Sequence, residues 1–174
     1  VQLRAQKSKI AENGTVTHYP ADDGEGLDAA CDIGTTTVVC HLIDGKTGEK
    51  LATVSEPSAQ RSFGADVLSR IQAAEAGKLE ILKEQIIFQI AQMLRTLQKK
   101  TGRGEQIQRL AVVGNTVMCH LFAGISPVSI GVTPFMPQEF FGKEYTGEQL
   151  GLTDCRSVYI APAVAGFVGG DITS

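Results

Sequence analysis

This chain of 174 residues has no excess of positive charge, no closely spaced cysteine pair and no long apolar run. Lys and Arg number 16 against 19 Asp and Glu, a net charge of −3. The basic residues are scattered and form no stripe that could hold a phosphate backbone, which argues against nucleic acid as a partner. No stretch approaches the roughly 20 apolar residues of a membrane span, and no charged-then-apolar signal segment opens the sequence. The expected compartment is therefore the cytoplasm, with no membrane partner. The four cysteines, Cys31, Cys40, Cys119 and Cys155, include no C-x-x-C pair, which argues against a metal or iron–sulfur site in this stretch. Each sits in or beside apolar sequence, where Cys behaves as a small buried hydrophobe. Cys31 and Cys40 flank a hairpin; a disulfide between them is possible but disfavoured in a reducing cytosol. There is no G-x-x-x-x-G-K-[ST] run, so a P-loop is excluded. No internal repeat is visible.

A content of 43% hydrophobic and 20% charged residues, with mean hydropathy +0.02, fits one compact globular domain. The start at Val1 without methionine, and the end at Ser174 just after the apolar, Gly-rich residues 163–170, read as a piece of a longer protein.

Residues 1–26 alternate weakly around Thr15-Val16-Thr17-His18-Tyr19, which suggests an edge strand. They end in a polar run, Ala21-Asp22-Asp23-Gly24-Glu25-Gly26, and read as a linker or the tail of a preceding segment. Residues 27–33 are small and apolar, Gly34-Thr35-Thr36 supplies a turn, and residues 37–43 are rich in β-branched side chains, the pattern of a hairpin. A second turn at Asp44-Gly45-Lys46-Thr47-Gly48 and a strand over 50–55 complete a three-stranded antiparallel meander. From Gly64 the period becomes helical: Val67, Leu68 and Ile71, then Leu79, Leu82, Ile86, Ile90, Met93, Leu94 and Leu97, with Gly77 dividing a short helix from a long one. The long helix closes on Lys99-Lys100-Thr101-Gly102, basic residues before a Gly. A buried strand over 108–113 passes through Gly114-Asn115-Thr116 into a helix over 117–122, capped by Asn115 or Thr116. Residues 124–151 are loop-rich, and residues 158–164 form a last strand.

The residues best suited to chemistry are Asp32-Ile33-Gly34-Thr35-Thr36-Thr37, at the tip of the first hairpin. Gly34 lets backbone approach a ligand closely, and the N–H groups and hydroxyls of Thr35, Thr36 and Thr37 can surround phosphate oxygens. Asp32, at the strand end, can hold Mg²⁺ through water. The plain alternative is an ordinary hairpin with Asp and Thr as turn residues. Gly114 and Asn115 lie at the C-terminal end of a strand, where α/β proteins place ligand contacts, although an Asn there also serves as a helix cap. Asp171, after Gly169-Gly170, is a candidate to orient an attacking water or the metal shell, or else a helix-start Asp favoured by the helix dipole. Asp66 and Arg70 have the spacing of an i,i+4 pair, and His120 reads as a core or edge histidine.

Leu27 to Ile43 resembles the first phosphate-binding hairpin of the acetate kinase, sugar kinase, heat-shock chaperone and actin superfamily. Four further runs resemble one branch of it: Arg61-Ser62-Phe63-Gly64-Ala65-Asp66-Val67-Leu68-Ser69-Arg70-Ile71, Val113-Gly114-Asn115-Thr116-Val117-Met118-Cys119-His120-Leu121, Gly131-Val132-Thr133-Pro134-Phe135, and Ala161-Pro162-Ala163-Val164-Ala165-Gly166-Phe167-Val168-Gly169-Gly170-Asp171-Ile172. That branch is the ferredoxin-fused reductive activators of corrinoid proteins. The resemblance implies an α/β ribonuclease-H-like half-domain over residues 27–174, a mixed sheet with a three-stranded antiparallel meander and flanking helices, its second half lying beyond this sequence. It implies a parent that uses ATP and Mg²⁺ to drive the cobalt of a corrinoid protein from cobalt(II) to cobalt(I) in a methyltransferase system. The electrons would come from a two-iron two-sulfur cluster in an N-terminal part absent from this sequence. The chain departs from the branch at Glu56-Pro57-Ser58-Ala59-Gln60, where relatives often carry Asn-Pro-Gln, which leaves Gln60 and Arg61 without a role. It departs again at Asp28, which interrupts a small, apolar strand and is expected to face solvent. The competing readings are a sugar or acid kinase of the same superfamily and a non-catalytic, actin-like ATP-binding module. The cluster-bridging activators of radical dehydratases are disfavoured by the lack of paired cysteines. Apolar surface expected around residues 164–172 predicts that the isolated fragment forms a concentration-dependent homodimer. Sedimentation across the micromolar range checks this, and a monomer throughout would contradict it.

Overall fold

The computed structural model describes residues 9–10, 16–18 and 26–163. Two short strands, β1 (Lys9–Ile10) and β2 (Val16–His18), pair antiparallel in a sheet of their own. The alternating piece near residue 16 is thus a strand, though not an edge of the main sheet.

The main sheet contains β3 (Leu27–Ile33), β4 (Thr37–Asp44), β5 (Lys50–Pro57), β6 (Ile107–Val113), β7 (Lys143–Thr146) and β8 (Cys155–Ile160), in the order β5-β4-β3-β6-β8-β7. The expected meander forms one side of it, with β3, β4 and β5 antiparallel. Strands β3, β6 and β8 are mutually parallel, and β7 returns antiparallel on β8. The fold is mixed α/β with a mixed sheet.

Period-two patterning decides which face is covered. Leu27, Ala29, Cys31 and Ile33 of β3 are buried, as are Val38, Cys40 and Leu42 of β4 and Leu110 and Val112 of β6. They form one core with helix α2 (Leu79–Thr101), which contributes Leu82, Ile86, Ile90, Met93, Leu94 and Leu97, and with helix α3 (Thr116–Ala123), which contributes Val117, Met118, Leu121 and Phe122. A shorter helix, α1 (Val67–Ala73), precedes α2 and is divided from it by a π-helical turn with Gly77 at φ 82°. The alternate residues Asp28, Ala30 and Asp32 of β3 lie on the other face, which no helix covers among the described residues.

Register corrects two sequence expectations. Cys31 and Cys40 stand directly opposite across the β3–β4 ladder, Cα atoms 4.3 Å apart, and are joined as a disulfide instead of remaining separate thiols. Asp28 does not simply face solvent: its cross-strand neighbour in β6 is Arg109, which donates through Nε at 3.2 Å and Nη2 at 2.6 Å to the carboxylate. Cys119 and Cys155 are buried and stand outside any disulfide, as expected. Burial, reinforced by the neighbouring Asp154 carboxylate, pushes the Cys155 thiol up to about 12, so it stays protonated and unreactive.

The loop-rich stretch after α3 also holds two short helices, α4 (Val128–Gly131) and α5 (Gly147–Leu150). Thr146 closes a capping box on α5 with Gln149. Because Ile90 is fully buried at the centre of α2 while Phe88 is 63% exposed, Ile90→Ala is expected to cost about 2–5 kcal/mol by leaving a cavity. Phe88→Ala should cost under about 0.5 kcal/mol, as for ordinary surface positions. Urea unfolding of the two variants checks the contrast.

Candidate functional site

Three parallel strands end at the same edge of the sheet. The β3–β6 register sets Asp32 beside Val113, so the turn after β3 and the turn after β6 meet. The meeting is close: a Cβ added to Gly114 would lie 2.6 Å from Ile33 Cγ1, and one added to Gly34 would lie 2.5 Å from the Thr37 carbonyl oxygen. A side chain at Gly114 would push the turn after β6 off β3, and one at Gly34 would disrupt the hairpin turn itself. Asn115 links them. Its Oδ1 accepts the Met118 backbone N–H at 3.0 Å, capping α3, and its Nδ2 donates to Thr35 Oγ1 at 3.0 Å. The cap reading of Asn115 holds, and capping fixes the amide so that its other end reaches the hairpin tip. The Ser58 N–H donates to the Thr36 carbonyl at 2.9 Å from the far side. Asp32, Thr36 and Thr37 are exposed at this edge and Thr35 is half-buried. Of the sequence-predicted site residues, Asp32, Gly34, Thr35, Thr36, Thr37, Gly114 and Asn115 thus come together; Asp171 lies outside the described residues.

Behind the hairpin tip is a polar cluster that sequence reasoning did not assemble. Arg70 is fully buried and does not pair with Asp66 as the i,i+4 spacing suggested. Asp66 is occupied as the N-cap of α1, its Oδ1 accepting both the N–H and the hydroxyl of Ser69 at 2.8 Å. Those two hydrogen bonds, the backbone one first, hold its carboxyl below the usual range. Arg70 instead turns inward. Its Nη2 donates to the Thr35 carbonyl, its Nη1 contacts Gln60 Oε1 at 3.4 Å and Met118 Sδ at 2.9 Å, and its Nε reaches the Gly64 carbonyl at 3.4 Å. Gln60 is buried as well and donates to the Leu82 carbonyl at 2.7 Å. Gln89 of α2 grips the same segment, accepting the Ala59 N–H at 2.9 Å and donating to the Pro57 carbonyl at 2.8 Å. Gln60 thus has a structural role, whereas Arg61 is exposed. The available signal was Gln89 itself, a polar residue on the apolar stripe of α2.

A family model described as RACo middle region matches residues 27–174. The chain belongs to this family. It is similar to the corrinoid activation enzyme RamQ of Eubacterium limosum, 30% identical over 172 residues, covering 95% of this chain and 29% of that protein. Among solved structures it is similar to a reductive activator for corrinoid, iron–sulfur protein, with TM-score 0.81 and 35% identity over 87% of this chain and 25% of that one. The chain therefore spans less than a third of the length of either relative.

In this RACo middle-region chain, His120 sits on α3, one turn beyond the Asn115 cap, and is fully buried. Its Nδ1 lies 2.7 Å from the Thr116 carbonyl, an acceptor, and its Nε2 receives the Glu139 backbone N–H at 3.3 Å. Those partners require the neutral ring with the proton on Nδ1. It is a core histidine, as expected, tying the 139–141 loop to α3 and packing edge-on against Phe141. Burial lowers its pKa from 6.5, against smaller opposing effects from the Thr116 carbonyl and Glu139. A lowered folded-state pKa means that the unfolded chain binds the proton more readily. The stabilisation is complete above about pH 6.5 and is lost as the pH falls from there through the folded value. His120→Asn is therefore expected to cost about 1–3 kcal/mol at pH 7.5 and to flatten the decline in stability between pH 7 and 5. The difference between variant and wild-type unfolding curves isolates this residue from His41, whose pKa is also lowered, chiefly by burial.

Proposed function

We propose that this chain is the first ribonuclease-H-like half of an actin-like ATPase domain. Its parent would use ATP to reduce a corrinoid protein from the cobalt(II) to the cobalt(I) state. The observation that carries the reading is the junction at the sheet edge, where the Gly34–Thr37 turn and Gly114–Asn115 are locked by the Asn115–Thr35 hydrogen bond. Membership of the RACo middle-region family and the names of the two relatives support a corrinoid protein as the target.

The residues at this edge fit a nucleotide phosphate and magnesium. Glycine at both positions lets the backbone pack where a Cβ would collide with Ile33 or with the Thr37 carbonyl, and Thr36 and Thr37 are exposed beside them. One carboxylate, Asp32, suits Mg²⁺, which keeps most of its waters and takes the rest of its ligands from phosphate oxygens. In this reading Asp32 holds the metal through water, Gly34 to Thr37 bind the phosphate oxygens, and Gly114 and Asn115 fix the opposite wall. Asp171 would orient the water that attacks the terminal phosphate. When bound, magnesium neutralises charge on the phosphates during transfer to water. The iron–sulfur electron source does not fit here, since Cys31 and Cys40 are joined to each other and Cys119 and Cys155 are buried separately. We place it, with the second half of the ATPase domain, in other parts of the parent. One electron reduces the cobalt of the substrate, and hydrolysis of ATP supplies the driving force.

The test is ATP hydrolysis by the full-length parent with and without an oxidised corrinoid protein from the same cell. Turnover is expected to rise with the corrinoid protein and to fall about 100-fold or more in Asp32→Ala, the scale of losing a residue that stabilises developing charge. Turnover that ignores the corrinoid protein and requires a sugar or acid acceptor would move the reading to a kinase.

A further inference from the structure

Arg70 combines two features that a purely structural side chain does not need. It is fully buried, and it makes no salt bridge among the described residues: its partners are two backbone carbonyls, an amide oxygen and a thioether. A guanidinium held among neutral acceptors keeps a desolvation cost that a hydrogen-bonded carboxylate would offset; the Asp66 carboxylate, which caps α1, acts on it only through space and does not outweigh the effect of burial. An apolar residue of similar length would avoid that cost if filling space were the whole task.

The direction of its shortest contact shows what the charge does. In a trans peptide the C=O and the following N–H point to opposite sides. By holding the Thr35 carbonyl toward the interior, Arg70 turns the N–H of Thr36 outward, where Thr36 is exposed beside the Asn115-bound hydroxyl of Thr35. A cation on the carbonyl side also polarises that peptide and makes its N–H a stronger donor. We infer that Arg70 is a positioning residue for phosphate binding: it orients the Thr35–Thr36 peptide toward a bound anion, which in turn balances its buried charge across the loop. Because Arg70 also holds Gln60 and Gly64, occupancy of the phosphate site tightens the segment 58–64. The inference rests on the phosphate-loop reading above.

The experiment compares magnesium–ATP and adenosine binding by calorimetry in the full-length parent, for Arg70→Met, Arg70→Lys and Asp32→Ala. Arg70→Met is expected to weaken ATP by about 10- to 100-fold, the worth of a charge-assisted contact, and to leave adenosine within about twofold. Arg70→Lys, which keeps the charge but not the planar fork, falls between wild type and Arg70→Met and carries the test alone if the Met variant does not fold. Hydrogen exchange over residues 58–64 should slow with ATP and not with adenosine, and the Lys variant should lose that response. Equal loss of ATP and adenosine would overturn the inference by reducing Arg70 to a structural part. Unchanged ATP affinity in the Arg70 variants with weakened binding in Asp32→Ala would overturn it while leaving the phosphate reading intact. Unchanged affinity in Asp32→Ala would remove that reading and the inference with it.

Discussion

Parallel pairing of β3 with β6 is the constraint on which the site depends. Each strand ends in a glycine-containing turn, and only when Asp32 stands beside Val113 do those turns meet. A slip by one residue would move Leu27, Ala29, Cys31 and Ile33 from the core to the open face, so burial of the strand and alignment of the site are enforced by one register. Antiparallel neighbours would not serve, because their turns would lie at opposite edges. The βαβ connection through α1 and α2 makes the alignment possible, and the 23 residues of α2 supply the apolar stripe that covers β3 to β6.

The site is supported from behind by polar groups, which is unusual for a core position. Gln60, Arg70 and Gln89 are all buried: Arg70 and Gln89 satisfy backbone groups at Pro57, Ala59 and Gly64, and Gln60, on that same segment, ties it to the Leu82 carbonyl of α2. Such a network adds little net stability, because each hydrogen bond replaces one to water. Its value lies in geometry: a bond not made in the interior costs the full desolvation of its groups, so few alternative arrangements of the segment are tolerable.

The elements set by periodicity were legible in the sequence, and those set by tertiary partners were not. The hairpin, the break at Gly77, the αL cap at Gly102 and the strand-to-helix turn at Asn115 follow from alternation, helical spacing and cap chemistry. Strand β7 and helices α4 and α5 were missed because each has only four residues, too few to show a period. Arg70 was misjudged for a different reason. The i,i+4 rule treats Asp66 as turned toward Arg70, but a capping Asp is turned toward the helix N-terminus, where its Oδ1 accepts from Ser69, and the arginine reaches inward to the Thr35 carbonyl. The cysteine pair likewise needed register: alternation places Cys31 and Cys40 on the same face, but only the turn length makes them opposite each other.

Asp28, which looked like a flaw in an apolar strand, completes the argument about register. Its pair with Arg109 is half exposed, side chains 18% and 41% accessible, and pairs of that kind contribute about 0–1 kcal/mol. Stability therefore does not explain a charge at the start of a central strand. Specificity does. The ladder shifts between Leu27 and Asp28 where β3 meets β6, and a wrong register would leave the Asp28 carboxylate on the sheet without its guanidinium. At the other end of the same two strands, Gly114 lies so close to Ile33 that no side chain would fit between them. The pairing is thus fixed by charge where the strands begin and by steric fit where they end, and the second of these is where a phosphate would bind.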